Sequence, residues 1–145
     1  MNDTQFIDTN IFLRFVTHDD VLKYQACLRL FQQAEQNQIT LYTSEAIIAE
    51  VVYVLSSPKL YQVPRQQIQI ALVRLLLLPG LKLSTRSICL RALDLYVKHP
   101  LDFEDCLSLA HMEQNAIQQI YSYDRGFDRI PAIQRLEPEM LEQVR

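Results

Sequence analysis

Carboxylates occur in this sequence at places where chemistry is a ready explanation for them. Asp8 follows directly on the apolar Phe6-Ile7, and Asp124 follows directly on the strand-like segment Gln119 to Tyr123. Two independent strand ends therefore carry the same chemical group, at the edge where an open α/β sheet builds its site. Glu50 is the one charged residue in the stretch Ala46 to Leu55, inside what reads as a largely buried helix. An unpaired buried carboxylate costs several kcal/mol or shifts its pKa until it is neutral. Three readings of Glu50 follow: the single exposed position of its helix, the partner of an arginine such as Arg74 or Arg91, or a metal ligand whose burial a cation compensates.

Asp102 and Asp105 are three residues apart at the start of a helix, so they share a face near the positive end of the helix dipole. Asp102 has an ordinary explanation as an N-cap. Asp105, inside the helix, reads as a ligand or as a complement to the dipole. Asp128, four residues after Asp124, either assists that acid or caps the turn around Gly126, and Asp19-Asp20 reads as an exposed loop with a helix cap.

Carboxylates without histidine or thiol partners are hard oxygen ligands, suited to Mg²⁺ or Mn²⁺ rather than zinc. The chemistry that most often uses such a set is phosphodiester hydrolysis. His18, His99 and His111 are isolated from one another and read as solvated, so a zinc site has little support. The three cysteines, Cys27, Cys89 and Cys106, are widely separated, odd in number and lack a C-x-x-C pairing, so they read as reduced core residues.

Composition bounds the function further. With 145 residues, 49% of them hydrophobic, the chain suits one domain over residues 1–145 with a real core. Only two glycines occur, Gly80 and Gly126, so neither a phosphate-cradling P-loop nor a dinucleotide fingerprint can be written. A net charge of −3 argues against a partner held mainly by phosphate neutralisation, unless bound cations invert the sign of the site. Arg14, Lys23, Arg29, Arg125 and Arg129 are the basic groups expected near such a cleft. The apolar run Leu75 to Leu78 is far short of the roughly 20 residues that cross a bilayer, and no secretory signal precedes Asp8, so a cytoplasmic location without membrane contact is expected.

The elements that must position these acids follow from periodicity and punctuation. Strands are expected at Gln5 to Ile7, Ile39 to Tyr42, Leu81 to Leu83, Gln119 to Tyr123 and, weakly, Ala132 to Leu136. Helices are expected over Val21 to Gln36, Glu45 to Ser56 after the Ser44 cap, Pro64 to about Pro79, Thr85 to Lys98, and Asp102 to about Met112, with a last helical turn from Pro138. Alternating strands and helices predict an α/β domain with a mainly parallel sheet.

Four segments together carry a family likeness: Ile7-Asp8-Thr9-Asn10-Ile11-Phe12, Ala49-Glu50-Val51-Val52-Tyr53-Val54-Leu55, Leu101-Asp102-Phe103-Glu104-Asp105-Cys106-Leu107, and Tyr121-Ser122-Tyr123-Asp124-Arg125-Gly126-Phe127. In order and spacing they resemble the PIN-domain family, particularly its VapC-like toxins. The resemblance implies a three-layer α/β/α fold around a parallel sheet of five strands. It implies Asp8, Glu50, Asp105 and Asp124 as an acidic quartet around Mg²⁺ or Mn²⁺, with Asn10 and Ser122 ordering the site and Asp102 and Asp128 as second acids of their motifs. It also implies an RNA substrate, a homodimer, and a small antitoxin protein whose C-terminal segment enters the cleft.

The expected reaction is hydrolysis of RNA by a metal-activated water attacking the phosphorus in line, giving a 5′-phosphate and full inhibition by chelator. Two other readings compete with it. A haloacid-dehalogenase-like phosphatase would use Asp8 as a nucleophile, but that family expects a second acid where Asn10 stands. A non-catalytic RNA-binding module would have no reason to keep all four acids.

Overall fold

A computed structural model describes residues 4–141. The chain opens with β1 (Thr4–Phe6), α1 (Thr9–Thr17), α2 (Val21–Glu35), β2 (Thr40–Tyr42), α3 (Glu45–Ser56) and α4 (Arg65–Leu76). It continues with β3 (Leu81–Lys82), α5 (Arg86–Lys98), α6 (Phe103–Gln114), β4 (Gln119–Tyr121), a 3-10 helix (Arg125–Arg129) and β5 (Gln134–Leu136). The α/β class and the parallel pairing are as expected, and the bounds of α3 coincide with those read from Ser44 and Pro58.

Side-chain caps explain where several helices begin. Asp20 accepts from the Lys23 amide and Ser44 from the Ile47 amide, each satisfying a donor that the first helical turn leaves without a partner. Pro64 precedes α4, where its missing N–H costs nothing.

One helix was not anticipated. Residues 9–17, for which periodicity assigns no element, form α1 between the Asp8 cap and His18, whose φ of 57° ends it in the left-handed region. Thr9, Phe12 and Leu13 are buried with Val16 packed beside them, the spacing of one helical face. Phe12 is fully buried, its ring 5.9 Å from that of Phe31 in α2. The helical turn expected from Pro138 does not form through Leu141, and the remainder of that segment lies outside the described residues.

The strands pair in the order β1-β2-β3 and, separately, β4-β5, all parallel. Five strands are present among the described residues, but as sheets of three and two rather than one continuous sheet. On the larger sheet Phe6, Tyr42 and Lys82, in register, are exposed, whereas Leu41 and Leu81 are buried against the helices. Gly80 enters β3 where the backbone of α2 comes close. Its amide donates to the Ala34 carbonyl at 2.8 Å, and a Cβ there would lie 2.5 Å from that oxygen.

The core joins the inner faces of α3, α4, α5 and α6 around Ile48, Leu55, Leu72, Leu76 and Leu93, all fully buried. Cys27, Cys89 and Cys106 are free and buried in it, and burial pushes the Cys89 and Cys106 thiols up to about 11. No described helix is long and apolar enough to cross a membrane.

Candidate active site

β1 extends by one hydrogen bond, from the Ile7 amide to the Tyr42 carbonyl at 2.9 Å, and the buried Ile7 then delivers Asp8 to the surface. Asp8 is exposed and caps α1, accepting from the Asn10 amide at 3.2 Å, so Asn10 contributes through its backbone. Thr9, only 8% exposed, turns inward and donates its hydroxyl to Glu50 Oε2 at 2.8 Å. That bond joins the first turn of α1 to the middle of α3.

Glu50 is exposed, not buried among its apolar neighbours. Ile48, Val51, Val52 and Leu55 lie on the core face of α3, and position 50 falls on the opposite side of the helix. Neither Arg74 nor Arg91 pairs with it; Arg91 forms a bidentate ion pair with Glu113 instead.

The second group of acids stands at the entrance of α6. Arg65 donates to the carbonyls of Tyr96, His99 and Leu101 at 2.8, 3.2 and 2.7 Å and lies 4.0 Å from the centre of the Tyr96 ring. It thereby holds the turn from which α6 departs. Asp102 takes the N-cap position but makes no side-chain capping bond, contrary to the ordinary explanation for it, and its carboxylate is exposed. Asp105, partly buried one turn in, is held above the usual carboxylate range by burial first and then by the neighbouring charges of Asp124, Asp102 and Glu104.

Asp124 is positioned by its own backbone. Its amide donates to Ser122 Oγ at 3.0 Å, and its Oδ1 accepts from the Gly126 amide at 2.8 Å, which ends β4 at Tyr121 and opens the 3-10 helix. A Cβ on Gly126 would lie 3.1 Å from Asp124 Oδ1 and 3.0 Å from Leu101. Of the two roles expected for Asp128, the cap of this turn falls to another residue. Asp124 makes that cap, and Asp128 pairs with Arg135 at 3.0 Å, an arginine that also bonds the Ser122 carbonyl and Glu137.

The structure thus brings the acids together in two groups: Asp8 and Glu50 linked through Thr9, and Asp105 with Asp124 and Asp102. Asp8 stands beyond β1 and Asp124 beyond β4, and these strands belong to separate sheets. Among the described residues no three or more His, Cys, Asp or Glu side chains lie together closely enough to hold a metal ion. The histidines are not simply solvated. His111 Nε2 lies 3.1 Å from Glu45, and His18 packs on Tyr24 with ring centres 3.9 Å apart. Of the expected basic groups, Arg14 is tied to Asp19, while Lys23, Arg29, Arg125 and Arg129 are exposed.

The sequence profile of the PIN domain matches residues 6–133, from the strand before Asp8 to beyond Asp124. The chain belongs to the PIN domain family. Among curated proteins, the chain is 24% identical over 126 residues to a VapC ribonuclease of Aquifex aeolicus (strain VF5), a match covering 87% of this chain and 91% of the relative. Among solved structures it is similar to VapC20 of Mycobacterium tuberculosis, titled a Sarcin-Ricin loop cleaving toxin, at 20% identity and a TM-score of 0.36, over 86% of this chain and 92% of that one.

Two residues that shape the site of this PIN domain were not singled out in the sequence. Thr9 was discernible, because it starts the helical spacing Thr9, Phe12, Leu13 and Val16 that makes it face inward. Arg65 was not: Arg65-Gln66-Gln67 reads as a solvated first turn, and nothing local ties it to carbonyls more than thirty residues away.

Proposed function

We propose that this PIN domain is a Mg²⁺- or Mn²⁺-dependent endoribonuclease that hydrolyses RNA phosphodiester bonds, and that it is the toxin of a type II toxin–antitoxin pair. The observation that carries the reading is that the PIN match over residues 6–133 takes in carboxylates set beyond β1 and β4 and on α3 and α6. Asp105 is partly buried, and burial first and then the charges of Asp124, Asp102 and Glu104 hold it above the usual carboxylate range. Such crowding is unfavourable in the free protein and becomes favourable when a cation is shared. The donors are all carboxylate oxygens, which suits Mg²⁺ or Mn²⁺.

Asp8, Glu50, Asp105 and Asp124 are the residues assigned to hold the ion; as their side chains stand no three are close enough to do so, and binding would have to draw them together. Thr9 fixes the rotamer of Glu50, Ser122 and Gly126 fix Asp124, and Asp102 adds an acceptor at the rim. A divalent ion bound there would supply an acidified water and neutralise charge developing on the phosphate. Asp124 or Asp105 could position that water by hydrogen bonding, and Asp8 and Glu50 would help hold the ion. The 91% coverage of a relative named as a VapC ribonuclease supports the RNA substrate; a small antitoxin and a homodimeric state belong to the proposal through the VapC-like motifs alone.

The test is cleavage of single-stranded RNA by the purified protein in Mn²⁺ and in chelator, with end-group analysis and Asp8→Asn alongside. Products with 5′-phosphates, absent in chelator and in Asp8→Asn, are expected. Cyclic phosphate ends formed in chelator would sink the metal mechanism. An intact Mn²⁺ response without any cleavage would leave a binding module.

A further inference from the structure

Beside the acids, a cavity of about 470 Å³ opens between α3, the start of α4 and the start of α6. Its apolar lining includes Val52, Tyr96 and Phe103, and Tyr53, Asp102 and Glu104 also line it. Val52, Tyr96 and Phe103 are buried, whereas Tyr53 is 66% exposed, an aromatic ring left at a cavity rather than packed into the core. Tyr53 lies three residues after Glu50 on α3, so both occupy one face of the helix. Asp102 is shared between the cavity and the acids around Asp105.

The charge of the lining narrows the occupant. Arg65, the cation that lines the cavity, has its guanidinium committed to three backbone carbonyls and the face of Tyr96. Among the described residues the carboxylates of Asp102 and Glu104 have no hydrogen-bond partner. This lining repels phosphate and accepts hydrogen bonds, so it complements the N–H edge of a neutral, flat group. A nucleobase splayed out of single-stranded RNA has an aromatic face for stacking and such an edge for hydrogen bonding. Of the four bases, guanine presents two adjacent donors, N1–H and the N2 amino group, which a carboxylate accepts as a pair.

We propose that this cavity is a base subsite that takes a guanine next to the scissile phosphate, stacked on Tyr53 and read by Glu104. The proposal rests on the nuclease reading for its RNA, but its test does not depend on cleavage. Binding of fluorescent oligouridylates carrying one central guanosine, inosine or adenosine, or none, is measured by anisotropy in Ca²⁺, a hard ion that takes oxygen ligands. The proteins compared are wild type, Tyr53→Phe, Tyr53→Ala and Glu104→Gln, each first checked for an unchanged thermal melt.

The guanosine oligonucleotide binds wild type most tightly, and inosine, which lacks the N2 amino group, more weakly. Tyr53→Ala loses roughly tenfold in affinity, within the range for one base–aromatic stack, and Tyr53→Phe retains it. Glu104→Gln abolishes the distinction between guanosine and inosine. Equal binding of all the oligonucleotides by wild type, or no loss in Tyr53→Ala, overturns the proposal and leaves the cavity to another occupant such as an apolar peptide segment. If the guanosine preference holds while Mn²⁺ cleavage fails, the base subsite stands and the nuclease reading falls.

Discussion

The Thr9 hydroxyl donates to the Glu50 carboxylate at 2.8 Å, across 41 residues of chain, and so couples the strand end carrying Asp8 to the middle of α3. A buried threonine fixes an exposed glutamate in one rotamer, where a solvated glutamate would sample many. Pre-orientation of a ligand by a neighbouring donor is how metal sites commonly hold their geometry.

Thr9→Val keeps the shape of the side chain and removes the donor. The loss to stability is about 1 kcal/mol, as for one hydrogen bond that water partly replaces on an exposed acceptor. The loss to cleavage is expected to be larger, roughly tenfold or more, in line with outer-shell partners of metal ligands. Urea midpoints and RNA cleavage rates measured together check this; parallel small losses in both would make Thr9 a packing residue only.

Mn²⁺ should stabilise the wild type against heat and leave Asp8→Asn unmoved. An ion that binds only the folded state adds about 2.7 kcal/mol at a hundredfold excess over Kd. Melting curves in chelator and in Mn²⁺ read this without any assumption about the RNA. A shift of equal size in both proteins would place the ion away from Asp8.

Asp105 makes a pH-dependent contribution of definite sign. Unfolded, its carboxyl titrates near 3.8; folded, burial and its acidic neighbours raise that value. Between the two values the folded state binds more protons, so stability falls as pH rises through this window, and the penalty is fully present at neutral pH. In chelator, Asp105→Asn is therefore expected to melt above wild type at pH 7. The gain should fade as pH falls below the ordinary carboxylate value. In saturating Mn²⁺ the order reverses, because the variant lacks a ligand. A variant that melts below wild type in chelator at pH 7 would contradict this burial and crowding of Asp105.

Arg65 acts at a distance on the same acids. Arg65→Ala removes three hydrogen bonds to the turn before α6 and the stack on Tyr96, leaving carbonyls of Tyr96 and Leu101 without that donor. A cost of about 2–4 kcal/mol is expected, since the donor is charged and the site partly buried. Arg65→Lys should recover little of it, because an ammonium lacks the planar guanidinium and its stacking face. Cleavage should fall in both variants as Asp102 and Asp105 lose their fixed origin. Denaturant midpoints with cleavage assays test this, and an Arg65→Lys protein as stable as wild type would show that charge suffices.

Much of this protein is decided within one or two turns of chain and is therefore legible in the sequence. Ser44 and Pro58 bracket α3, alternation marks β2, and apolar segments before Asp8 and Asp124 announce acids beyond strand ends. Four motifs in order then suffice for the PIN family. α1 was equally local in its signal, through Thr9, Phe12, Leu13 and Val16, but its polar start masked it.

What only tertiary structure decided involves partners far apart in the chain. Whether Glu50 is exposed depends on which face of α3 the core takes. What Asp128 pairs with depends on Arg135 reaching it, and whether Asp102 caps its helix depends on a turn that Arg65 holds from another helix. The division of the strands into β1-β2-β3 and β4-β5 is of the same kind. Periodicity and caps are written by neighbouring residues, whereas pairing across dozens of residues is settled by packing, which no single segment encodes.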